Sequence, residues 1–338
     1  MKRGKKTVKT VKNKSLGKIA DYIQNNDNYL IIGHIDPDGD AIGSIMAFKF
    51  LLDNLNKNSI ILLHADLRKE YEILFKYLKP QDYHIYQNQD KLSDLAKYSN
   101  AIVLDSANID RLGNFKEFIQ SCFKVNIDHH NDNSEFGDIN YVNSNESAVG
   151  KIVYDLTKLM SINIDEQLGT AIALAVLADT GSLKYPNSDP ASFRLIANLK
   201  ENKIDIVEIN RFLQSFSSLE YLKLLSKGLA NIKTDKTGKI AWLVLSNSEI
   251  KDLGIEEQEI KNLVNYPRDI RGVEVGISFV EKEENFIDIS FRSLNYVDVS
   301  DIAHKFNGGG HPRASGTKVE GNLNQIINRV LSEVKKNV

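Results

Sequence analysis

The stretch GHIDPDGDAIGS, from Gly33 to Ser44, decides the fold of this chain. Before it, Tyr29–Ile32 is a short apolar run typical of a buried strand. After it, apolar residues recur at helical spacing from Ile42 to Leu52. The stretch is therefore predicted to be the turn between the carboxyl end of a strand and the start of a helix. In an open α/β sheet, ligands bind at such turns.

Four potential metal ligands lie within seven residues of this stretch and are spaced by twos: His34, Asp36, Asp38 and Asp40. If the segment is extended, their side chains point the same way, because alternate residues of a strand share a face. Three carboxylates this close repel one another unless a cation lies between them, and one or two hard divalent cations would suffice. Two simpler interpretations stay open from this stretch alone. It is either an Asp/Gly-rich turn whose carboxylates cap a helix, or a calcium loop, although it lacks the Glu that an EF-hand needs at position twelve.

The composition of the whole chain restricts its class. A length of 338 residues predicts two domains, and a net charge of −2 gives no overall field that would attract long nucleic acid. Cys122 is the only cysteine, which excludes an internal disulfide framework and favours a reducing cytosol. The first eighteen residues hold eight Lys or Arg and no acid, and are predicted to be a disordered tail rather than a signal peptide. The longest apolar run, Ala171–Ala178, is too short to cross a bilayer.

Strand and helix patterns alternate between Tyr29 and Asp128, which predicts a mostly parallel sheet wrapped by helices. The strands are predicted at Tyr29–Ile32, Ser59–Leu63, Tyr83–Tyr86, Ala101–Leu104 and Phe123–Ile127, and the helices between them at Ala41–Leu55 and Arg68–Leu78.

Acids and imidazoles follow two of the later strands directly. Asp105 ends one of them, and Asp128, His129 and His130 end another. Because parallel strands bring their carboxyl ends to one edge, these side chains are predicted to form a metal site with the first motif. Asp179 closes an apolar helical segment, where a carboxylate is costly unless it is paired or bound to a cation.

The middle of the chain is mainly helical, and the character of the sequence changes past Ala230. Helices are predicted at Ser147–Leu159 and Asp165–Ala178, and the mainly helical region Ser192–Leu229 leads to a hairpin and two further strands. FNGGGHPRASG, from Phe306 to Gly316, follows, and the amides of such a glycine-rich loop can hold phosphate oxygens. Its spacing is neither that of a P-loop nor that of a dinucleotide-binding turn.

Five motifs together resemble the DHH phosphoesterase superfamily: GHIDPDGDAIGS, VLDSAN, NIDHH, LADTG and GGGHPRASG, in that order. The last resembles the DHH-associated C-terminal domain, and the overall size is similar to NrnA-type members, which are nanoRNases and phosphatases of 3′-phosphoadenosine 5′-phosphate (pAp). The resemblance implies an α/β fold, with a mostly parallel DHH domain, a smaller α+β C-terminal domain and a cleft between them. The predicted organisation is a basic tail at 1–18, a DHH catalytic domain at 19–190, a helical connector at 191–229 and a substrate-binding domain at 230–338.

The resemblance also implies roles for individual residues. One divalent cation would be held by His34 and Asp38, a second by Asp40, His129 and Asp179, and Asp105 would bridge the two, with Mn²⁺ favoured over Mg²⁺. His130 would lie near the scissile phosphate, and Asp128 would orient the imidazoles; Asp36 matches no ligand position. The residues expected to grip substrate are Arg292, Gly308, Gly309, Gly310 and His311, with Arg313 as a further candidate.

The sequence therefore predicts a cytoplasmic, two-metal phosphodiesterase that degrades very short RNA and linear dinucleotides and dephosphorylates pAp. Two other enzymes are alternatives: a cyclic-dinucleotide phosphodiesterase and a RecJ-like single-strand DNA exonuclease. A protein that is not an enzyme, a non-catalytic nucleotide or RNA binder, is a third alternative. Neither long duplex nucleic acid nor a membrane is an expected partner, whereas a homodimer is in keeping with the family.

Overall fold

The first six strands form one parallel sheet. The computed structural model describes residues 15–86, 95, 97–214, 218–255, 260 and 263–338. The strand order within this sheet is β3-β2-β1-β4-β5-β6, and every neighbouring pair of strands is parallel. The strands are β1 (Tyr29–Ile32), β2 (Ser59–Leu63), β3 (Tyr83–Ile85), β4 (Asn100–Leu104), β5 (Phe123–Asp128) and β6 (Ile139–Val142).

Helices cover both faces of this sheet. Along β1, Tyr29 and Ile31 point into the larger apolar core, while Leu30 and Ile32 point into a smaller one on the opposite face. This is the alternation expected of a strand that is buried on both faces. The helices are α1 (residues 15–25), α2 (Gly39–Asn54), α3 (Glu72–Phe75), α4 (Phe115–Phe118), α5 (Val149–Leu159), α6 (Glu166–Asp179), α7 (Pro190–Glu201) and α8 (Ile206–Gln214).

Two glycines allow three of these helices to pack closely. A Cβ at Gly43 of α2 would lie 2.7 Å from the backbone N of Ala175 in α6, and a Cβ at Gly150 of α5 would lie 2.3 Å from the Ala175 Cβ. Neither position has room for a larger side chain. The close approach matters because α2, α5 and α6 carry or anchor the acidic side chains described below.

A second sheet of six strands, in the order β11-β12-β10-β9-β8-β7, is antiparallel except for the parallel pair β8 and β9. Its strands are β7 (Lys233–Thr234), β8 (Ile240–Leu245), β9 (Val275–Glu283), β10 (Phe286–Ser293), β11 (Gly309–His311) and β12 (Ala314–Glu320). Its helices are α9 (Leu219–Ala230), α10 (Asn247–Lys251), α11 (Asn265–Arg268), α12 (Val299–His304) and α13 (Leu323–Val334). One face packs on α12 and α13, and the β8 end of the other face packs on α9 and α10.

The chain divides into two compact units, Met1–Ser215 and Phe216–Val338. The region predicted as a helical connector is shared between them: Leu195 of α7 and Ile209 of α8 belong to the core of the first unit, and Leu224 of α9 belongs to the second. The predicted domain boundaries themselves stay a prediction. Residues 15–18 of the predicted basic tail are helical, and residues 1–14 lie outside the described part of the chain.

The predicted fold class, a parallel α/β unit followed by a smaller α+β unit, is confirmed. Three local predictions differ. The helix predicted at Arg68–Leu78 is only Glu72–Phe75, because Asp66 accepts the Arg68 amide at 3.1 Å and holds a turn before it. The short edge strand β6 was not predicted, and part of the glycine loop, Gly309–His311, is a strand paired with β12.

Candidate metal centre

The carboxyl ends of three adjacent strands supply the first polar side chains of the site. His34 lies two residues beyond β1, Asp105 follows β4 directly, and Asp128 is the last residue of β5. From β1 the chain proceeds outward to β2 and β3, and then returns to place β4 on the other side of β1. The crevice outside such a switch point is where open α/β sheets bind ligands.

The segment after His34 is the start of a helix rather than an extended strand. Asp38 is the N-cap of α2, and its Oδ1 accepts the backbone N–H groups of Asp40 at 3.0 Å and Ala41 at 3.1 Å. Asp40 lies in the first helical turn. The predicted period-two alignment of these side chains is therefore wrong, because capping winds the backbone after Asp38. Asp36 is exposed and belongs to none of the clusters of potential ligands found among the described residues.

Asp40 also holds the N-terminus of α5. Its carboxylate accepts the backbone N–H groups of Val149 at 2.7 Å and Gly150 at 3.0 Å, and the hydroxyl of Ser44 at 2.9 Å. The amides favour the ionised form, but burial is the larger effect and raises the pKa of Asp40. A carboxylate from a residue more than a hundred positions earlier thus caps α5.

Asp105 is the central carboxylate of the site. It is 2 % exposed, and its backbone has a φ of 55°, a left-handed conformation that Asp tolerates better than most residues. Burial, reinforced by the nearby carboxylates of Asp40 and Asp38, raises the pKa of Asp105 well above its usual range. Its Oδ1 lacks a hydrogen-bond partner within the described part of the chain.

Imidazoles surround Asp105 at distances that leave room for an ion. His34 Nε2 lies 3.9 Å from Asp105 Oδ2, and His129 Nε2 lies 3.6 Å from Asp105 Oδ1. His129 Nε2 is also 3.8 Å from Asp40 Oδ2. These separations exceed those of hydrogen bonds and suit donor atoms that share a metal.

Three groups of side chains each bring one potential ligand atom per residue to within 4.8 Å of the others. They are His34, Asp38 and Asp105; Asp40, His129 and Asp179; and Asp105, His129 and His130. All six residues predicted as metal ligands occur in these groups, and Asp105 and His129 each occur in two of them.

Hydrogen bonds settle which nitrogen of two histidines carries the proton. His129 Nδ1 lies 3.1 Å from the carbonyl oxygen of Glu146, which can only accept, so Nδ1 is protonated and Nε2 is the nitrogen that faces the carboxylates. His130 Nδ1 lies 2.7 Å from Asp128 Oδ1 and donates to it. That donation makes Nδ1 of His130 a poor ligand, which distinguishes the two adjacent histidines.

Asp128 is fully buried and holds this corner of the site. Besides His130, it accepts the backbone N–H of His129 at 2.7 Å and the side-chain amide of Asn133 at 2.6 Å. Burial opposes ionisation, but these donors outweigh it and lower the pKa of Asp128 to about 2. Asn133 is itself fixed by Asn126 and by the backbone of Ser106. Asn133 is not among the residues predicted for the site, although it follows His130 by only three residues.

Asp179 is the last residue of α6, and Asn187 holds its carboxylate. The Asn187 side-chain amide donates to Asp179 Oδ2 and to the Asp179 carbonyl, both at 3.1 Å. Burial, together with the charge of Asp40, raises the pKa of Asp179 to about 7. Asn187 is not among the predicted site residues either, because a lone Asn before a helix is most simply a turn residue.

The residues present fit a bound divalent cation. Burial lowers the pKa of His34 to about 4, so its imidazole is neutral, which is the form that binds metals. Its Nδ1 is buried and, like Asp105 Oδ1, lacks a hydrogen-bond partner among the described residues. Native proteins rarely leave such atoms unsatisfied, and crowded buried carboxylates need a positive charge among them. Carboxylates and imidazoles are ligands of divalent metals.

The residues predicted to grip substrate lie in the second unit. Arg292, on β10, lines a cavity of about 90 Å³ together with Ser278, Ser290 and Lys282. Close packing within the second sheet also requires glycine at Gly308 and Gly310. A Cβ would lie 2.2 Å from the Gly316 oxygen at the first position and 2.6 Å from the Ala314 oxygen at the second.

The other three candidates differ in their surroundings. Gly309 and His311 lie on β11, and His311 is exposed. Arg313 donates to the Val297 carbonyl at 2.6 Å and to the Ser293 hydroxyl at 3.3 Å, which ties its guanidinium to the loop before α12.

Comparison with known families agrees with this architecture. The DHH family, N-terminal domain, matches residues 28–180, and the DHHA1 domain matches residues 237–336. The chain belongs to the DHH phosphoesterase family and carries a DHHA1 domain. The predicted resemblance and the predicted class of phosphoric-ester hydrolase are both confirmed.

Two curated relatives carry the same kind of name. The chain is 30% identical over 307 residues to the bifunctional oligoribonuclease and PAP phosphatase NrnA of Thermus thermophilus, covering 90% of this chain and 89% of the relative. It is 27% identical over 301 residues to a probable enzyme of that name from Streptococcus mutans, covering 89% and 91%. A crystal structure of an exopolyphosphatase-related protein from Bacteroides fragilis shares the fold, with a TM-score of 0.87, 24% identity and 96% of each chain covered.

Proposed function

We propose that this chain is a divalent-metal-dependent phosphodiesterase and phosphatase that degrades very short oligoribonucleotides and linear dinucleotides and removes a phosphate from pAp. The observation that carries the proposal is the set of carboxylates and imidazoles, all but Asp38 buried or half-buried, that gathers around Asp105 at the switch point of the parallel sheet. The names of the curated relatives, which align over about nine-tenths of this chain, favour this activity over the rival enzymes and over a non-catalytic binder.

Six residues would hold two cations. His34 and Asp38 would bind one ion, Asp40, His129 and Asp179 would bind the other, and Asp105 would contact both. Mn²⁺ is the ion proposed, because imidazole is a ligand of transition metals while carboxylates accept both Mn²⁺ and Mg²⁺. When bound, such ions supply positive charge to the negatively charged transition state of phosphoryl transfer.

The chain's own residues determine where the imidazole protons lie and how the imidazole rings are oriented. His130 donates its Nδ1 proton to Asp128, so Nε2 is the ring nitrogen that can exchange a proton with a phosphate oxygen or a leaving group. Asp128, ionised and fully buried, keeps the ring in that tautomer. His129 is held by the Glu146 carbonyl, which keeps its Nε2 directed at Asp40 and Asp105.

The second unit would bind the remainder of the substrate. Arg292, the glycines at Gly308, Gly309 and Gly310, and His311 offer a guanidinium, backbone amides and an imidazole, all of which suit phosphate. Arg313 would contribute through the loop that it anchors. If the glycine loop holds the end of the substrate, it limits how much chain fits, which would favour short substrates over long ones.

The proposed location of this protein is the cytoplasm. Cys122 is buried and unpaired, in keeping with the proposed reducing cytoplasm. Among the described residues, no helix is both long and apolar enough to cross a membrane. The homodimer stays a prediction.

The test is hydrolysis of pAp and of a 5′-labelled RNA dinucleotide by the full chain with Mn²⁺, with Mg²⁺ and with EDTA. We expect hydrolysis of both substrates with Mn²⁺, none with EDTA, and a faster rate on the dinucleotide than on a twenty-residue RNA. Equal rates on the two RNA lengths would refute the preference for short substrates. If the chain hydrolysed neither pAp nor the dinucleotide with any divalent metal, the proposed function would be refuted.

A further inference from the structure

The turn that follows Asp179 has an unusual backbone. Gly181, Ser182 and Leu183 have φ values of 55°, 60° and 65°, so three successive residues are left-handed and two of them are not glycine. L-residues rarely adopt this conformation unless the surrounding structure imposes it, and active sites and ligand clamps are among the places where it is found. The turn begins two residues after a proposed metal ligand.

Thr180 imposes the conformation. It is fully buried, and its carbonyl accepts the backbone N–H groups of Lys184 and Tyr185, both at 3.0 Å. Its hydroxyl accepts the N–H of Leu183 at 3.1 Å and donates to the Val176 carbonyl at 2.5 Å. The backbone that carries Tyr185 is therefore fixed to the end of α6.

The ring of Tyr185 lies over the backbone of Gly181. A Cβ at Gly181 would come within 2.5 Å of Tyr185 Cζ, so the ring needs a glycine beneath it. Tyr185 nevertheless stays 39% exposed, and Lys184 beside it is exposed too. The far end of the turn returns to the site, because Asn187 donates to Asp179 Oδ2. Since two residues span at most about 7 Å, Gly181 and the ring above it lie close to Asp179.

We propose that Tyr185 is the platform on which the nucleobase of the substrate stacks when its phosphate occupies the metal centre; this inference rests on the proposed function. An aromatic ring on a rigid turn offers contact area with little loss of side-chain freedom. Stacking accepts every base, since each has a π face, which suits an enzyme that must clear short RNA of any sequence. Lys184, the exposed residue before Tyr185, would add a cation for the phosphate backbone.

A structural role for the ring makes a different prediction. If Tyr185 only covered Gly181, an apolar side chain of similar size would replace it, and the identity of the substrate's base would not matter. Tyr185→Leu keeps an apolar cover but removes the π face, whereas Tyr185→Phe keeps both. Phe123→Ala is a matched control, because Phe123 is a similarly exposed aromatic. It lies at the amino end of β5, whereas the candidate metal ligands lie beyond the carboxyl ends of the strands.

The experiment measures kcat and KM for pAp and for the same bisphosphate lacking adenine, together with Mn²⁺ affinity and Tm. For Tyr185→Leu we expect KM for pAp to rise roughly 10-fold, with little change for the base-free compound. Tyr185→Phe and Phe123→Ala should leave the KM ratio of the two substrates unchanged.

Two results would overturn the proposal: a KM ratio that is unchanged in Tyr185→Leu, whether or not both KM values rise, or a loss of Mn²⁺ affinity, which would show that the ring only supports Asp179. If the wild-type chain hydrolysed neither compound, the proposed function itself would fail. Wild-type activity with an unchanged ratio in Tyr185→Leu would refute this inference alone.

Discussion

His130 Nδ1 lies 2.7 Å from Asp128 Oδ1, and the other oxygen of that carboxylate is held by Asn133 at 2.6 Å. The carboxylate therefore fixes both the tautomer and the orientation of the imidazole. Its low pKa, about 2, keeps it ionised across the physiological range despite complete burial.

Replacing that carboxylate tests the role of His130. Asp128→Asn should lower kcat about 10²- to 10⁴-fold on a dinucleotide, because the amide can present a donor to Nδ1 and reverse the tautomer. Steady-state kinetics and Mn²⁺ titration check this. Asn133→Ala, which removes one donor to the carboxylate, should cost less, about 10-fold. A kcat within twofold of wild type for Asp128→Asn would contradict the assignment.

Asp105→Asn should abolish activity while leaving the metal-free protein folded. We expect a loss of about 10³-fold or more in kcat/KM, because the proposed shared ligand is gone. The metal-free Tm at pH 8 should match or exceed that of wild type, since a buried carboxylate crowded by other acids is removed. Asp105→Ala is the paired variant: its Tm should be lower than that of Asp105→Asn, because Asn tolerates the φ of 55° better than Ala does. Undiminished Mn²⁺ binding by Asp105→Asn would count against the bridging role.

The stability of the metal-free protein should depend on Asp179 and pH. The folded-state pKa of Asp179 is raised to about 7 from 3.8, chiefly by burial, so between these values the folded state binds more protons than the unfolded state. Its destabilising contribution is therefore absent below pH 4, grows as the pH rises and is complete above pH 7.

Tm measurements on wild type and Asp179→Asn in EDTA check this contribution. The Asn variant should be the more stable protein at pH 8, and the difference should shrink at pH 5. Mn²⁺ should raise the Tm of wild type far more than that of the variant, with protons released on binding. A Tm difference independent of pH would contradict the raised pKa.

The close packing of α2 on α6 is predicted to matter for both stability and metal binding. Gly43→Leu should lower the free energy of unfolding by about 1–3 kcal/mol, because even a Cβ at Gly43 meets the backbone of Ala175 at 2.7 Å. It should also weaken Mn²⁺ binding, since the two helices carry Asp40 and Asp179. Urea unfolding and metal titration measure these effects.

The control for that variant is Gly17→Ala in α1. A Cβ there meets nothing within 4 Å, so stability should be unchanged or raised by up to about 1 kcal/mol. Equal effects of the two substitutions would show that the close helix contact is not the cause.

Arg292→Gln tests the second unit. KM for pAp should rise about 10- to 100-fold with little change in kcat, because a charged hydrogen-bond donor to phosphate is lost. Arg329→Gln is the matched control: Arg329 is exposed on α13, which packs on the opposite face of the same sheet. A KM that does not respond to Arg292→Gln, or that responds equally to both variants, would remove Arg292 from the substrate site.

The sequence alone predicted five of the six strands of the parallel sheet, because buried strands and amphipathic helices have distinct periods, and the strands Tyr29–Ile32 and Ser59–Leu63 match their predicted bounds. Carboxylates and histidines beside apolar runs are conspicuous in the sequence, and the resemblance to the DHH phosphoesterase superfamily implied which six of them are the candidate ligands.

Only the tertiary structure decided how those side chains are held. Asp40 caps a helix that begins more than a hundred residues later, and Asn187 holds Asp179 from a turn that periodicity does not describe. Likewise, Asn133 supports Asp128, and the ring of Tyr185 lies over Gly181. These contacts depend on hydrogen-bond direction and close packing between distant segments, which a local pattern of residues does not contain.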